Sequence, residues 1–238
     1  MTRKIVITGA SSQIGQAIAR KVVMPGDSVL LHGVRHIDAC PKFSDPSIRV
    51  EVKTADFCDP EQLAAFCHAL KDVDILINAA ASTQTDLLPN LDSSAIETML
   101  AVNIRALVAI CQNVIPAMMI KRHGVIINLS SIAAQRGNKG QSVYAGTKGF
   151  VESFTRSLAA EYGARGIRVN AVSPGAIDAG NLKNLLAYAE HEVKQSTALK
   201  KLGKPEDVAS LVAFLCSDEA QYISGKCIAV DGGFCQGV

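Results

Sequence analysis

The sequence carries almost no excess charge: 24 lysines and arginines stand against 22 aspartates and glutamates, a formal net charge of +2 over 238 residues. So small a charge produces no strong field over the whole surface, and we expect no nucleic acid partner. Signal-peptide and membrane patterns are lacking too. The first apolar run, Ile5–Ile7, is short, and no stretch approaches about 18 uninterrupted apolar residues. We predict a cytoplasmic protein without a membrane span.

Disulfide and zinc signatures are also lacking. The seven cysteines are odd in number and form no Cys-x-x-Cys pair, which argues against a disulfide framework and against a zinc site. We therefore predict no metal centre and expect reduced thiols. Cys111 and Cys216 fall in apolar helical patterns and are predicted to be small core residues.

What the sequence does contain is an alternation of short β-rich runs with longer helical patterns, and no repeat or linker marks a domain boundary. Such alternation is typical of a parallel sheet covered by helices on both faces. With 48% apolar residues, the chain can bury one large core. We predict a single α/β domain over residues 1–238, with a doubly wound, Rossmann-type, seven-stranded parallel sheet.

The predicted strands are Lys4–Thr8, Ser28–His32, Ile48–Lys53, Val73–Ile77, Val125–Leu129, Arg168–Val172 and Lys226–Val230. The predicted helices are Ile14–Val23, Pro60–Leu70, Asp92–Lys121, Ser142–Tyr162, a shorter Leu185–Gln195, and Pro205–Ser217. The segment His36–Pro46 contains two prolines and little periodicity, so we predict a loop there.

The first strand runs through a turn of small residues into a helix. In that context backbone N–H groups and a helix N-terminus can hold a pyrophosphate. The turn is poor in glycine, so an ordinary strand-to-helix turn is the alternative. The candidate cofactor-binding residues of this turn are Gly9, Ser11, Ser12, Gln13, Ile14 and Gly15.

The end of the second strand lacks a carboxylate. An acidic side chain there would bind the ribose 2′-hydroxyl of NAD, whereas this sequence has Gly33 followed by Arg35. An arginine can pair with a 2′-phosphate. We therefore predict NADPH as the preferred cofactor, with NAD as a second possibility, and a solvated loop arginine as the alternative reading of Arg35.

Tyr144 and Lys148 are four residues apart in a predicted helix, so their side chains share one face. For a phenol to act as an acid near neutral pH, its pKa must fall by about three units, or about 4 kcal/mol. A nearby ammonium is one source of that shift. The alternative is a core tyrosine beside a surface lysine.

Three polar residues accompany this pair. Ser131 and Asn78 each come just after a predicted strand, at the carboxyl end where open α/β sheets place their ligands. Asn103 interrupts an apolar helical stripe, and a buried amide needs hydrogen-bond partners.

The chain resembles the short-chain dehydrogenase/reductase family over essentially its whole length. The resemblance rests on motifs in the family's order: Thr8–Gly15, Asn78-Ala79-Ala80-Ala81, Asn103, Ser131, Tyr144-Ala145-Gly146-Thr147-Lys148 and Ser173-Pro174-Gly175. It implies hydride transfer between a nicotinamide and a carbonyl or alcohol. It also implies a dimer or tetramer built on the long helices.

The resemblance assigns roles to individual residues. Tyr144 would exchange a proton with the substrate oxygen, and Ser131 would orient that oxygen. Lys148 would bind the nicotinamide ribose and lower the tyrosine pKa. Asn103 would hold a water. Further cofactor contacts would come from Asp56 at the adenine, from Phe57, Asn78, Ala79 and Ala80, and from Pro174 and Gly175 in a turn beside the nicotinamide, with Ile177 facing the carboxamide. Two residues depart from the family pattern: Gln13 replaces a glycine, and Ala179 replaces a threonine that bonds the nicotinamide amide.

Within the family the strongest resemblance is to 3-oxoacyl-acyl-carrier-protein reductases of fatty acid biosynthesis. Arg122 and Arg165 fall where those enzymes dock the acidic acyl carrier protein, although exposed arginines at helix ends are the alternative. Residues 179–198, with His191, are the predicted substrate lid. Two other functions stay open: a reductase or dehydrogenase of a free small alcohol, ketone or sugar, and a non-catalytic dinucleotide-binding scaffold.

Overall fold

The computed structural model describes residues 2–179 and 196–234. They form one parallel sheet of seven strands in the order β3-β2-β1-β4-β5-β6-β7. The first strand therefore lies between β2 and β4, which creates a switch point where ligands bind at the carboxyl edge of such sheets. The strands are β1 (Lys4–Thr8), β2 (Ser28–Gly33), β3 (Arg49–Thr54), β4 (Ile75–Asn78), β5 (Gly124–Leu129), β6 (Ile167–Pro174) and β7 (Cys227–Val230).

Helices cover both faces of the sheet. They are α1 (Gln13–Val22), α2 (Pro60–Ala69), α3 (Ser93–Leu100), α4 (Leu107–Lys121), α5 (Ser142–Tyr162) and α6 (Pro205–Cys216). One hydrophobic core forms where α1 and α6 pack on one face, and a second forms where α2, α4 and α5 pack on the other. Strand residues buried on both faces explain the near-continuous apolar runs of the sequence.

The predicted fold class is confirmed, and all seven predicted strands are present. The predicted helical segment Asp92–Lys121 is helical from Ser93 to Lys121, and a π-helical turn, Ala101–Ala106, separates α3 from α4 within it. The predicted loop His36–Pro46 contains only a short 3₁₀ turn, Ile37–Ala39. The predicted helix Leu185–Gln195 and most of the predicted lid, with His191, lie outside the described residues.

The helical run Ser93–Lys121 is long and apolar enough, by length and composition, to cross a membrane. In the structure Ile110, Val114 and Met118 of this run are buried against the sheet. The run also carries a buried amide, Asn103. These contacts are those of a helix that covers a sheet, and we interpret it as a core helix.

The six cysteines among the described residues are free thiols. Cys111 and Cys216 are buried, as predicted. Burial raises the pKa of both thiols to about 12, so they are small core residues and not reactive thiolates.

Candidate active site

The turn after β1 is shaped by two glycines. Gly9 has a φ of 67°, and a Cβ on Gly15 would lie 2.2 Å from the Gly9 carbonyl oxygen, so both positions exclude a side chain. Ser12 caps α1, because its hydroxyl accepts a hydrogen bond from the Gly15 N–H at 3.0 Å. The first turn of α1 contains no acidic residue. The N–H groups and dipole of this helix start therefore favour an anion.

Two other predicted residues of the turn have exposed side chains. Gln13 is exposed at the start of α1, and Ser12 is exposed beside it. The glutamine that replaces a family glycine thus does not fill the turn. Ser11 lies against Gly33 of β2, since a Cβ on Gly33 would be 2.8 Å from the Ser11 hydroxyl oxygen. Ile14 is half-buried and packs against the core.

The end of β4 is tied to the same turn through Thr8. Its hydroxyl oxygen accepts hydrogen bonds from the N–H groups of Ala79 and Ala80, both at 3.1 Å. Asn78 is buried and donates to the Asn128 side-chain oxygen at 2.9 Å. These bonds hold the carboxyl ends of β1, β4 and β5 in one cluster.

Arg35 is exposed two residues beyond Gly33. It forms no ion pair within the described part of the chain. Its guanidinium is therefore available at the tip of β2 to a phosphate. A carboxylate is absent from residues 33–36 of this tip.

A residue that sequence reasoning missed, His32, connects the two loops at this end of the sheet. The Gly9 N–H donates to its Nδ1 at 3.3 Å, and its Nε2 donates to the Ala55 carbonyl oxygen at 2.9 Å. The ring also stacks on Phe57, with the two ring centroids 4.1 Å apart. Burial lowers the pKa of His32, partly offset by the Ala55 bond. The one signal in the sequence was a polar residue at the end of an apolar strand.

Asp56 and Phe57, two of the predicted cofactor contacts, differ in exposure. Asp56 follows β3 and is half-buried, and its carboxylate accepts the Cys58 N–H at 2.9 Å. The Phe57 side chain is buried in the core against His32. Any cofactor contact from Phe57 would therefore come from its backbone.

Ser131, Tyr144 and Lys148 lie together at the carboxyl end of β5. The Ser131 side chain lies close enough to the Tyr144 phenol to lower its pKa. The Lys148 Nζ lies 5.8 Å from the Tyr144 ring centroid. It donates to the Leu129 carbonyl oxygen at 2.7 Å and is 3% exposed. The serine comes from the turn after β5, whereas the other two come from one face of α5.

The acid–base properties of this group differ from the expectation drawn from sequence. Burial raises the pKa of Tyr144, and the nearby Ser131 side chain lowers it in part. Burial also lowers the pKa of Lys148 to about 8. In the chain alone the effect of burial on the tyrosine pKa outweighs any lowering by Lys148, whose amine is itself desolvated and donates to a backbone carbonyl.

Asn103 lies in the π-helical turn and is buried. Its side-chain oxygen accepts the Ser82 N–H and its amide donates to the Ser82 carbonyl, both at 2.8 Å. The amide also donates to the Thr147 hydroxyl at 3.0 Å. Asn103 therefore joins α5 to the segment after β4, and π-helical turns of this kind are frequent at functional sites.

Asn103 and Lys148 both line a small polar cavity of about 10 Å³, together with Thr8, Asn78 and Asn128. This volume is close to the minimum that one water molecule needs. The cavity lies between Lys148 and Asn103 of the π-helical turn. It can therefore hold one water between these two residues.

The turn after β6 faces the same edge of the sheet. The Gly175 N–H donates to the Val230 carbonyl oxygen at 2.9 Å, which anchors Pro174 and Gly175 beside β7. Ile177 is 4% exposed and pairs with Gly203. Ala179 is half-buried, and its N–H donates to the Ile177 carbonyl.

Arg122 and Arg165 lie away from the site around Tyr144. They line one open groove with Pro116, Met119 and Ile120, at the amino edge of the sheet where β5 and β6 begin. Tyr144 lies near the other end of α5, a helix of 21 residues and hence about 30 Å long. The structure therefore brings the two arginines together but separates them from the tyrosine.

Comparison with known proteins places this geometry in a family. A family model described as enoyl-(acyl carrier protein) reductase matches residues 9–235. The chain is 34% identical to nodulation protein G of Rhizobium sp. (strain N33) over 97% of this chain and 96% of that protein. It is 32% identical to a 3-oxoacyl-[acyl-carrier-protein] reductase of Thermotoga maritima, with 96% of each chain covered.

Solved structures with a similar fold lead to the same family. One described as a short chain dehydrogenase/reductase family protein is 31% identical with a TM-score of 0.88, over 97% of this chain and 96% of that one. A putative NAD(P) dependent gluconate 5-dehydrogenase from Beutenbergia cavernae, with bound NADP, is 31% identical with a TM-score of 0.91, over 98% and 96%. The chain belongs to the short-chain dehydrogenase/reductase family of oxidoreductases.

Proposed function

We propose that this chain reduces the carbonyl of a 3-oxoacyl thioester to a hydroxyl with NADPH. The arrangement of Ser131, Tyr144 and Lys148 at the carboxyl edge, next to the β1 turn, is the observation that supports this most strongly. Bound NADPH supplies the hydride. Tyr144 donates the proton that the substrate oxygen requires, and Ser131 hydrogen-bonds that oxygen. Lys148 holds the nicotinamide ribose, and Asn103 lines the path by which Tyr144 regains a proton.

The raised pKa of Tyr144 suits the role of proton donor in carbonyl reduction. Because burial raises the pKa of Tyr144, the phenol stays protonated at neutral pH and can act as the acid. With a pKa of about 8, the Lys148 amine is mostly charged at pH 7. Its positive charge favours the phenolate that forms as the proton leaves.

NADPH is proposed as the preferred cofactor on three grounds: the exposed Arg35, the missing carboxylate at the β2 tip, and the NADP bound in the gluconate dehydrogenase structure. Replacing Arg35 with alanine is expected to weaken NADPH binding by about 10- to 100-fold, because an arginine–phosphate pair contributes about 1.5–3 kcal/mol. NADH, which lacks the 2′-phosphate, should bind the variant about as well as before. Fluorescence titration of both dinucleotides measures the change.

Arg49→Ala is the matched control, since Arg49 is also exposed but begins β3 at the amino edge. It should leave the NADPH to NADH ratio as in the wild type. An equal loss for both dinucleotides in Arg35→Ala, or no loss, contradicts the assignment of Arg35 to the phosphate.

An acyl carrier protein is proposed as the donor of the thioester. The name of the Thermotoga maritima relative supports this, as does the groove that Arg122 and Arg165 share with the 86% exposed Ile120. Acidic side chains of a carrier would meet both arginines while an apolar contact covers Ile120. Because the groove and Tyr144 lie about 30 Å apart along α5, the carrier would deliver its acyl chain to the active site of a partner subunit.

This delivery requires a homo-oligomer, a dimer or tetramer in which α4 and α5 pair between subunits. The stacked rings of Phe150 and Phe154, with centroids 5.5 Å apart, are half-buried on α5 and offer an apolar contact for such pairing. Light scattering on a size-exclusion column measures the subunit number. A monomer at micromolar concentration contradicts delivery between subunits.

The double variant Arg122→Glu/Arg165→Glu is expected to raise KM for acetoacetyl-carrier protein by about 10-fold or more, since reversed charges repel an acidic partner. The measured quantity is the ratio of kcat/KM for the carrier-bound thioester to that for acetoacetyl-CoA, at low and at moderate salt. Arg20→Glu/Lys21→Glu is the control, because both residues are exposed in the last turn of α1, on the opposite face of the sheet. A ratio that falls equally in both variants contradicts the docking groove.

The second candidate function is oxidation or reduction of a free alcohol, ketone or sugar, which the gluconate dehydrogenase structure favours. Turnover of acetoacetyl thioesters, simple ketones and gluconate with the preferred dinucleotide separates the two. Higher kcat/KM on gluconate or a simple ketone selects the second candidate. No turnover of any of them, with dinucleotide binding retained, selects a non-catalytic scaffold.

We place the reductase in the cytoplasm and in fatty acid biosynthesis, on the strength of its 3-oxoacyl reductase relative. Residues 179–198 are proposed to cover the substrate. Their position after the Pro174-Gly175 turn and before β7 supports that role.

A further inference from the structure

A buried carboxylate, Glu152, lies behind the candidate active site. It is on α5, one turn beyond Lys148, and is 8% exposed. It forms no ion pair within residues 2–179 and 196–234. Burying a carboxylate is costly unless hydrogen bonds replace the lost water. The partners of Glu152 therefore indicate what the residue is for.

One carboxylate oxygen of Glu152, Oε1, receives three donors from two segments, the turn after β5 and the end of β6. The Ser173 hydroxyl donates at 3.0 Å, and the Gln135 amide donates at 3.0 Å. The Ser130 hydroxyl lies 3.3 Å from Oε1 and 3.2 Å from the Lys148 carbonyl oxygen, so its single hydrogen is shared between them. A carboxylate oxygen has lone pairs enough for such a set, and charge strengthens each bond.

Each donor stands next to a part of the candidate active site. Ser130 directly precedes Ser131, and Gln135 ends the 3₁₀ turn that Ser131 begins. Ser173 directly precedes Pro174 and Gly175, the turn predicted to lie beside the nicotinamide. Glu152 itself shares its helix with Tyr144 and Lys148.

We propose that Glu152 is a positioning residue for hydride transfer. Its carboxylate gathers the ends of β5 and β6 onto α5, and so sets the distance between the nicotinamide turn and the Ser131–Tyr144 pair. The inference rests on the proposed function and adds a residue that touches neither substrate nor cofactor. Misplacement of reacting groups by about 1 Å can cost about 100-fold in rate.

The test compares Glu152→Leu, which removes the acceptor, with Glu152→Gln, which keeps an oxygen at the same place. The expected kcat of Glu152→Leu, per NADPH-binding site, is about 10- to 100-fold below wild type. The KM for NADPH should stay within about threefold, since the β1 turn is untouched. Glu152→Gln should retain at least about a third of wild-type kcat. Glu161→Leu, at an exposed position on the same helix, is the matched control.

Two readouts separate positioning from loss of stability. In Glu152→Leu the deuterium isotope effect on kcat with 4-deuterated NADPH should be at least as large as in the wild type, because the hydride step is slowed. In crystal structures of the NADPH complexes, the Pro174–Gly175 turn should lie farther from Ser131 in Glu152→Leu than in the wild type. Unfolding temperatures and NADPH stoichiometry of every variant are measured alongside.

A kcat per binding site equal to wild type in Glu152→Leu, or an unmoved Pro174–Gly175 turn, overturns the proposal. So does a kcat in Glu152→Gln as low as in Glu152→Leu. Failure of the proposed function is a different result: the wild type would then turn over no ketone, alcohol or thioester. The crystallographic comparison would still decide whether Glu152 holds the two strand ends together.

Discussion

Replacing Tyr144 with phenylalanine is expected to lower kcat for ketone reduction by about 100- to 10,000-fold, the usual contribution of a general acid. The variant loses one oxygen, that of the phenol whose pKa Ser131 lowers, and keeps the ring that packs beside Lys148. NADPH affinity should change by less than about threefold, because the turn after β1 is unaltered. Stopped-flow and steady-state oxidation of NADPH give kcat, and fluorescence titration gives the affinity.

Tyr162→Phe is the matched control, since Tyr162 ends the same helix and loses the same atom. It should turn over substrate as the wild type does. More than about a tenth of wild-type kcat in Tyr144→Phe would contradict general acid catalysis by this phenol. In the wild type the reduction rate should hold through neutral pH and fall at high pH, first as the Lys148 amine, with its pKa lowered to about 8, loses its charge and then as the phenol, with its pKa raised by burial, ionises.

Lys148→Met is expected to lower kcat by about 100-fold or more and yet to stabilise the cofactor-free protein at neutral pH. The catalytic loss follows from removing the positive charge near the forming phenolate. The stability gain follows from burial, which lowers the pKa of Lys148 to about 8 from about 10.4 in an unfolded chain. A charged amine held in that site opposes folding at pH 7.

The pH dependence has a definite sign. Between about pH 8 and pH 10.4 the unfolded state binds more protons at Lys148 than the folded state does, so stability from this group rises with pH. Below about pH 8 the Lys148 amine is charged in both the folded and the unfolded state. The destabilisation caused by burying that charge is then complete and does not change with pH. The excess stability of Lys148→Met over wild type, about 1–2 kcal/mol after allowing for the lost bond to Leu129, should therefore shrink as pH rises through the window. Urea unfolding at pH 7 and pH 10 measures it.

Lys71→Met is the control for this prediction, because Lys71 is exposed after α2. Its stability relative to wild type should not vary with pH over the same window. A Lys148→Met protein that is less stable than wild type at pH 7 would mean that the amine is not desolvated in solution. The opposite signs of the activity and stability effects are the mark of a residue kept for function.

Local patterns in the sequence were enough to predict most of the scaffold. Strand Lys4–Thr8 and helix Ser142–Tyr162 have the predicted ends, because apolar periodicity and the residues at element ends are local properties. Tyr144 and Lys148 were paired by spacing alone, since residues four apart share a helix face. The absence of a carboxylate near Arg35 could likewise be read from the strand end.

Other features depend on contacts between distant segments. The π-helical turn at Asn103 accompanies bonds to Ser82, which is 21 residues away in sequence, and no periodicity encodes such a partner. His32 joins Gly9 to Ala55 across two strands. The separation of the two arginines from Tyr144 follows from the length and direction of α5. The sequence shows the residues, but it does not show which of them contact one another in the folded chain.

The sequence by itself determined the alternation of strands and helices, the parallel sheet and the identity of the candidate catalytic side chains, because each depends on residue type and spacing within a few turns of chain. Only the tertiary structure decided how the charges of these side chains are solvated and which groups they contact. Lys148 has its pKa lowered to about 8, and Glu152 receives three donors, because folding removes these groups from water and surrounds them with particular partners. Desolvation is a property of the packed chain, and no stretch of sequence carries it alone.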